Sequence, residues 1–322
     1  MTLLEVEGLR VRLPTTRGLV TVVDGVDYAV EHGEVFGVAG ESGSGKTMSM
    51  LSLLGLLPDG AVVDGSVRFG EHDLLRMPRR RLRELAGREL AMVFQDPLTS
   101  LHPMLSIGRQ LTEHVRRHLG VGKRAAEQRA LASLEEVRIP DPASALRAFP
   151  HQFSGGMRQR IAIAIALACR PKLLIADEPT TALDVTVQAG ILRLLDRLRR
   201  ENDLSVVLIT HDLGVMSAIA DRVSIFYAGK VVEAGSREDV LRTPRHPYTR
   251  ALLDALPHPE AGEDKPLVAI AGAPPNPGAV PAGCAFHPRC SYAQEACRHE
   301  TPPLVAKGDR RLACPPDPFG GR

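Results

Sequence analysis

The run GESGSGKT, residues 40–47, constrains this chain more than any other stretch of its length. It fits the pattern G-x-x-x-x-G-K-[ST], follows the apolar run VFGVA and precedes the helix-forming MSMLSLLGLL. A strand, a glycine-rich loop and a helix in that order build a phosphate cradle. Gly40, Gly43 and Gly45, with Ser42 and Ser44 between them, let backbone N–H groups turn inward around phosphate oxygens. The helix N-terminus adds its positive end, Lys46 reaches the β and γ phosphates, and Thr47 ligates Mg²⁺.

A fold able to carry this loop is written along the rest of the chain. Residues 35–39, 90–94, 173–176 and 206–209 are short apolar runs without polar alternation, as expected of strands covered on both faces of a parallel sheet. Residues 97–168 read instead as mostly helical: LTEHVRRHLG and RAAEQRALASLEEV place apolar residues three and four apart, as in an inserted helical subdomain. Beyond Gly235 proline becomes dense, which marks a boundary between a first domain, 1–235, and a second, 236–322. The Arg-rich RMPRRRLRELAGREL is expected to be a solvated helix face.

In LLIADEPTTALD, residues 173–184, an apolar strand delivers two adjacent carboxylates at its end. Asp177 is expected to hold Mg²⁺ and Glu178 to polarise the water that attacks a γ phosphate. Other classes recede on composition. Forty basic residues against 38 acidic leave a formal charge of +2, too balanced for a chain that binds nucleic acid by neutralising phosphates. No run approaches the roughly 20 apolar residues of a membrane span, and MTLLEVEGLRVRL lacks the core of a secretory signal. A cytosolic location with reduced thiols is the expectation.

FSGGMRQRIAIAIALA, residues 153–168, decides among phosphate-loop families. Ser154 caps a helix whose N-terminal amides suit an anion, although the chain already has a phosphate loop. Ser154, Gly155 and Gly156 resemble the signature motif of the ABC-transporter ATPases. That resemblance implies an α/β fold: an ABC-type P-loop nucleotide-binding domain with an inserted helical subdomain, plus a small irregular Cys-containing C-terminal domain. It implies a head-to-tail dimer in which the signature of one subunit closes over the ATP of another. Gln95 in MVFQDP then resembles the Q-loop, which contacts Mg²⁺ or the attacking water. Asp184 resembles the D-loop, which contacts the opposite subunit, and His211 in LITHD the switch histidine that holds the γ phosphate.

The resemblance narrows to the ATPases of dipeptide and oligopeptide importers through MVFQDPLTSLHPMLSIG, ADEPTTALDVTVQ, DRVSIFYAGKVVEAG and PRHPYTRALLDALP, whose His246, Pro247 and Tyr248 match a hallmark of that group. It implies a second, homologous ATPase subunit, two membrane-spanning permease subunits, an extracytoplasmic solute-binding protein and a peripheral place on the cytoplasmic membrane face, with no nucleic-acid partner. Nickel and glutathione importers share much of the pattern, and exporter or non-transport ABC ATPases share the catalytic core. Leu13 stands where the family has an adenine-stacking aromatic, and His102 where the group has Asn.

Four of five cysteines, Cys284, Cys290, Cys297 and Cys314, follow the spacing C-x5-C-x6-C-x16-C. Cys169, in IALAC, reads as core. Of a disulfide framework, zinc, an iron–sulfur cluster or no metal, reduced thiols argue against the first. Resemblance to a subset of the peptide-importer ATPases implies a [4Fe-4S] cluster, with Zn²⁺ the alternative. The proline-rich surroundings carry few large apolar residues, so a metal could supply folding energy there.

Overall fold

The computed structural model describes residues 1–181, 183–256 and 269–320. The chain divides into two compact units: one of Met1, Glu31–Glu34 and Arg76–Ile209, the other of Thr2–Val30, Val35–Leu75 and Thr210–Arg322. In chain order the strands are β1 (Thr2–Thr15), β2 (Gly18–Glu31), β3 (Val35–Ala39), β4 (Val62–Phe69), β5 (His72–Asp73), β6 (Leu90–Val93), β7 (Leu173–Asp177), β8 (Ser205–Thr210), β9 (Arg222–Tyr227), β10 (Lys230–Ser236), β11 (Val305–Lys307) and β12 (Arg310–Leu312). The helices that matter below are α1 (Lys46–Leu53), α2 (Ile107–Leu119), α3 (Lys123–Glu136), α4 (Gly155–Leu167), α5 (Val185–Asn202), α6 (Leu213–Ile219) and α7 (Pro247–Asp254).

In the first unit β6, β7 and β8 run parallel, with Leu90 opposite Leu173 and Leu173 opposite Ser205. Every residue of β7 and β8 is buried, the reason these runs show no alternation. β6 stops at Val93, and Phe94, read from sequence as the strand's last residue, is exposed. Helices fill the region read as helical: α2 buries Ile107, Leu111 and Val115 at four-residue spacing, and α3 buries Ala126, Ala130 and Leu134. Arg129 joins α3 to the end of α4, its Nε donating to the Ala168 carbonyl at 2.8 Å. Cys169 lies two residues beyond α4 rather than inside it, and is buried as read. The Arg-rich helix Arg79–Leu85 exposes its arginines and buries Leu82 and Leu85.

In the second unit β2, β1, β4 and β5 form an antiparallel sheet in that order. Alternation in LLEVEGLRV builds its inner face: Leu4, Val6, Leu9 and Val11 are buried, and the register shifts between Glu7 and Arg10 keep Leu9 inward. β3 pairs parallel with β9, β9 antiparallel with β10, and the late strands β12 and β11 extend this sheet from β10. Gly37 in β3 lets α6 approach: an added Cβ would meet the Met216 sulfur at 2.6 Å.

The same unit contains a buried polar junction. Glu233 on β10 is fully buried, and its carboxylate accepts the amides of Arg245 at 2.8 Å and His246 at 3.1 Å. His246, 1% exposed, caps α7 by accepting the Tyr248 N–H on Nδ1 at 3.0 Å, which fixes that nitrogen as the unprotonated one. Burial lowers its pKa to about 3. An imidazole held neutral in the fold and titrating near 6.5 when unfolded stabilises fully above pH 6.5, and the contribution is lost as pH falls toward 3. At pH 5 the loss is expected to be on the order of 2 kcal/mol. Glu233, held above the usual carboxylate range by its burial, works in the opposite sense. The His246 share is therefore read as the difference in thermal midpoint between wild type and His246→Gln from pH 7 to 5. A Gln oxygen can keep the cap without titrating, so its profile should be the flatter.

Candidate functional site

The phosphate loop lies in the second unit, between β3 and α1. Gly40 has φ +146°, and a Cβ there would sit 2.1 Å from the Phe226 carbonyl oxygen. At Gly45, φ +100°, it would sit 2.5 Å from the Val22 carbonyl oxygen. Both positions thus require glycine on sterics and on backbone angle. Gly43, φ +78°, faces open space, and Ser42 beside it is exposed. The loop is braced from behind: the Gly229 N–H donates to Ser44 O at 2.9 Å and the Asp24 N–H to Gly229 O at 2.8 Å.

Lys46 is 5% exposed, and its ammonium donates to Gly40 O at 2.6 Å, Glu41 O at 2.9 Å and Ser44 Oγ at 3.3 Å. α1 begins there with no side-chain cap and no acidic residue in its first turn. Uncapped amides, a positive helix end and a buried ammonium across the loop fit a polyphosphate. Thr47 follows on the first turn of α1, where its hydroxyl can serve a cation held against that phosphate. His211, in the same unit, lies just beyond β8 and is exposed.

The carboxylates lie in the first unit, at the end of β7. Asp177 is its last residue, 5% exposed. Glu178 turns out of the strand with φ +45°, a left-handed angle that costs a non-glycine residue roughly 1–3 kcal/mol and that concentrates at functional sites. Its N–H donates to Ile209 O at 2.8 Å. Its carboxylate Oε2 accepts Gln95 Nε2 at 2.7 Å and Thr181 Oγ1 at 3.0 Å. Two residues nominated separately, Gln95 by resemblance and Glu178 by its place at a strand end, are thus in direct contact. A carboxylate aimed by two donors can accept a proton from a water at a fixed angle.

Ser154 caps α4, its Oγ accepting the Met157 N–H at 3.4 Å, and Ser154 and Gly155 are exposed. Gly156 is required by packing: a Cβ would meet Val187 Cγ1 on α5 at 2.6 Å. Asp184 caps α5 through the Val187 N–H at 2.9 Å. Both polar residues therefore have local work as helix caps, and α4 presents an anion-suited end to solvent. Leu13 is half-buried on β1 and His102 is exposed. Position 182 and the Pro257 end of the His-Pro-Tyr run lie outside the described residues.

Sequence reasoning missed what supports the loop. The Glu41 N–H donates to the Tyr248 hydroxyl at 2.8 Å, and the Glu41 carboxylate is forked by Arg289. His-Pro-Tyr was legible as a motif, but nothing in its spacing says that its tyrosine underlies the phosphate loop.

Cys284, Cys290, Cys297 and Cys314 gather in the second unit. Cys284 donates its N–H to Cys297 O at 2.8 Å, and Cys284, Cys297 and Cys314 line one cavity of about 240 Å³ with Pro302, Pro303 and Pro315. Burial pushes the Cys314 thiol up to about 11, and the neighbouring thiols of Cys284, Cys290 and Cys297 push the same way. Among the described residues no three His, Cys, Asp or Glu side chains are set to hold a single metal ion. No described helix is long and apolar enough to cross a membrane.

Comparison with known proteins follows the same lines. The family profile "ABC transporter" matches residues 23–181, and "Oligopeptide/dipeptide transporter, C-terminal region" matches 232–297. The oligopeptide transport ATP-binding protein OppD of Salmonella typhimurium is 46% identical over 313 residues, 97% of this chain and 93% of that protein. The dipeptide transport ATP-binding protein DppD of Escherichia coli is 47% identical over 313 residues, 97% of this chain and 95% of its own. Among solved structures, the dimeric ATP-binding cassette MJ0796 bound to ADP and Pi superposes with a TM-score of 0.65 at 24% identity, over 73% of this chain and 98% of that one. That likeness speaks for the cassette fold.

Proposed function

The chain belongs to the ABC transporter family, and from that premise we infer that it is the ATP-hydrolysing motor subunit of a membrane importer for dipeptides or oligopeptides. One observation carries the reading: the cassette and the oligopeptide/dipeptide C-terminal region occur in one chain, and Tyr248 of the second takes the amide of Glu41 in the phosphate loop of the first. Lys46 and the loop amides hold the β and γ phosphates. Thr47, Gln95 and Asp177 would hold Mg²⁺, which would supply charge to screen the phosphates. Glu178 takes the proton of a water whose oxygen attacks the γ phosphorus, the bond from that phosphorus to the β–γ bridging oxygen breaks, and His211 holds the departing phosphate.

Ser154, Gly155 and Gly156 of one subunit close over the ATP of a second, homologous subunit, with Asp184 at the same junction. Closure drives two permease subunits that receive cargo from an extracytoplasmic binding protein, which places this chain on the cytoplasmic membrane face. Reconstituted with those partners in vesicles, the chain is expected to hydrolyse ATP faster when peptide-loaded binding protein is present. ATP turnover stimulated by nickel or glutathione, and not by peptide, would reassign the cargo. Turnover indifferent to every binding protein would remove the importer reading.

For the four cysteines we infer a [4Fe-4S] cluster, with zinc the second reading. A single zinc ion needs its sulfurs close together, about 2.3 Å from one centre, whereas in a cluster each thiolate meets a different iron and the four can stand farther apart. The half-buried thiols of Cys284, Cys297 and Cys314 line one cavity, and the Cys290 thiol is near enough to push the Cys314 thiol up, which supports a four-thiolate site. The cluster's chemistry here would be structural, tying a proline-rich segment together. Anaerobically prepared protein is expected to be brown, with a broad band near ~400 nm and about four irons per chain. Colourless protein with one zinc overturns the cluster.

A further inference from the structure

We propose that Arg289 is a positioning residue for the phosphate loop, acting through the carboxylate of Glu41, so that the 284–290 segment helps set the affinity for ATP. The proposal rests on the ATP reading above. Glu41 is the second residue of the loop, and its carboxylate puts a negative charge into a structure that must receive a polyanion. Arg289 cancels that charge with a fork: Nη1 donates to Oε2 at 2.6 Å and Nη2 to Oε1 at 2.9 Å. The Arg289 side chain is 5% exposed and that of Glu41 23%, so water screens the pair only weakly.

Everything around Arg289 fixes its aim. Nε donates to Ala271 O at 2.9 Å, and Nη1 lies 3.4 Å from the Tyr227 hydroxyl. The guanidinium stands 5.9 Å from the Tyr227 ring centroid and 5.8 Å from that of Phe286. Phe286, 3% exposed, packs 5.3 Å from both Tyr227 and Tyr248, and the Tyr248 hydroxyl takes the Glu41 amide. Charge and amide of one loop residue are thus both held by residues far along the chain. The holding side chains, Phe286 and Arg289, lie between Cys284 and Cys290.

Two accounts of this contact predict opposite things. If Arg289 only braces the fold, losing either partner weakens ATP binding. If it neutralises Glu41, losing Arg289 leaves a bare carboxylate beside the phosphates, whereas losing the carboxylate leaves a bare cation that attracts them. Titrating the full-length chain with ATP in a calorimeter separates the two. Arg289→Ala is expected to weaken binding about tenfold, Glu41→Gln to tighten it about threefold, and the double variant to return within about twofold of wild type. In ATP turnover the Arg289→Ala loss should fall on KM, with kcat at saturating ATP nearly unchanged.

Wild-type affinity in Arg289→Ala, or a double variant as weak as Arg289→Ala alone, overturns the proposal. Should Arg289→Ala fail to fold, Glu41→Gln decides by itself, because binding weaker than wild type contradicts charge neutralisation. A wild-type chain that binds no ATP overturns the ATP reading and this proposal with it.

Discussion

Replacing Glu178 by Gln is expected to lower ATP turnover about a thousandfold while ATP binding stays within a few-fold of wild type. The substitution is close to isosteric and keeps an oxygen to accept from Gln95 Nε2 and Thr181 Oγ1, which now meet Oε2 at 2.7 and 3.0 Å. What disappears is the capacity to take a proton from water, and with it the route out of the ATP-bound state. Mixed with its homologous partner subunit, the Glu178→Gln chain should therefore accumulate in ATP as a dimer visible by size-exclusion chromatography. Phosphate release at the wild-type rate would show that the proton goes elsewhere and would remove Glu178 as the base.

Lys46→Ala is expected to fail one step earlier, with ATP affinity reduced about a hundredfold, the order of effect for losing charge-assisted hydrogen bonds to phosphate. Its ammonium is nearly buried and spans Gly40 O, Glu41 O and Ser44 Oγ, so it stands over the loop. Arginine is no substitute, because a planar fork cannot sit as a point charge among three acceptors. Calorimetric titration with ATP measures the loss, and affinity within threefold of wild type would contradict the assignment. A double Lys46→Ala, Glu178→Gln variant should behave as Lys46→Ala alone and form no ATP-trapped dimer, since binding precedes chemistry.

Features encoded locally are legible in the order of residues alone. β7 and β8 read as unbroken apolar runs because both faces are covered, and Ser154 reads as a cap because a serine hydroxyl ahead of an apolar helix can accept one of its first amides. Gly40 and Gly45 read as loop glycines from spacing, although spacing could not say that the Phe226 and Val22 carbonyls forbid a side chain there. The antiparallel sheet of β1, β2, β4 and β5 went unread despite the alternation in LLEVEGLRV, a signal that was present. Other features leave no local signal. Glu233 looks like any charged residue on a hairpin, and the arrival of the Arg245 and His246 amides, with the Arg310 guanidinium 3.5 Å away, explains its burial. Arg289 and Glu41 are 248 positions apart, and no local pattern connects them.

The division into units bears on how the protein is made. Residues 76–209 leave the ribosome as one block and supply nearly all of the first unit, whereas the second is stitched from three segments of which the last begins at Thr210. Lys46 is synthesised long before Tyr248 and Arg289 exist to hold Glu41, and before Leu312, 1% exposed, closes onto β10. At about 5–20 residues per second the interval is on the order of tens of seconds. A nascent chain therefore carries the residues of its nucleotide loop throughout most of translation without the scaffold that shapes them. Competence to bind nucleotide comes late in synthesis, so partly made chains are poor competitors for ATP and for partner subunits.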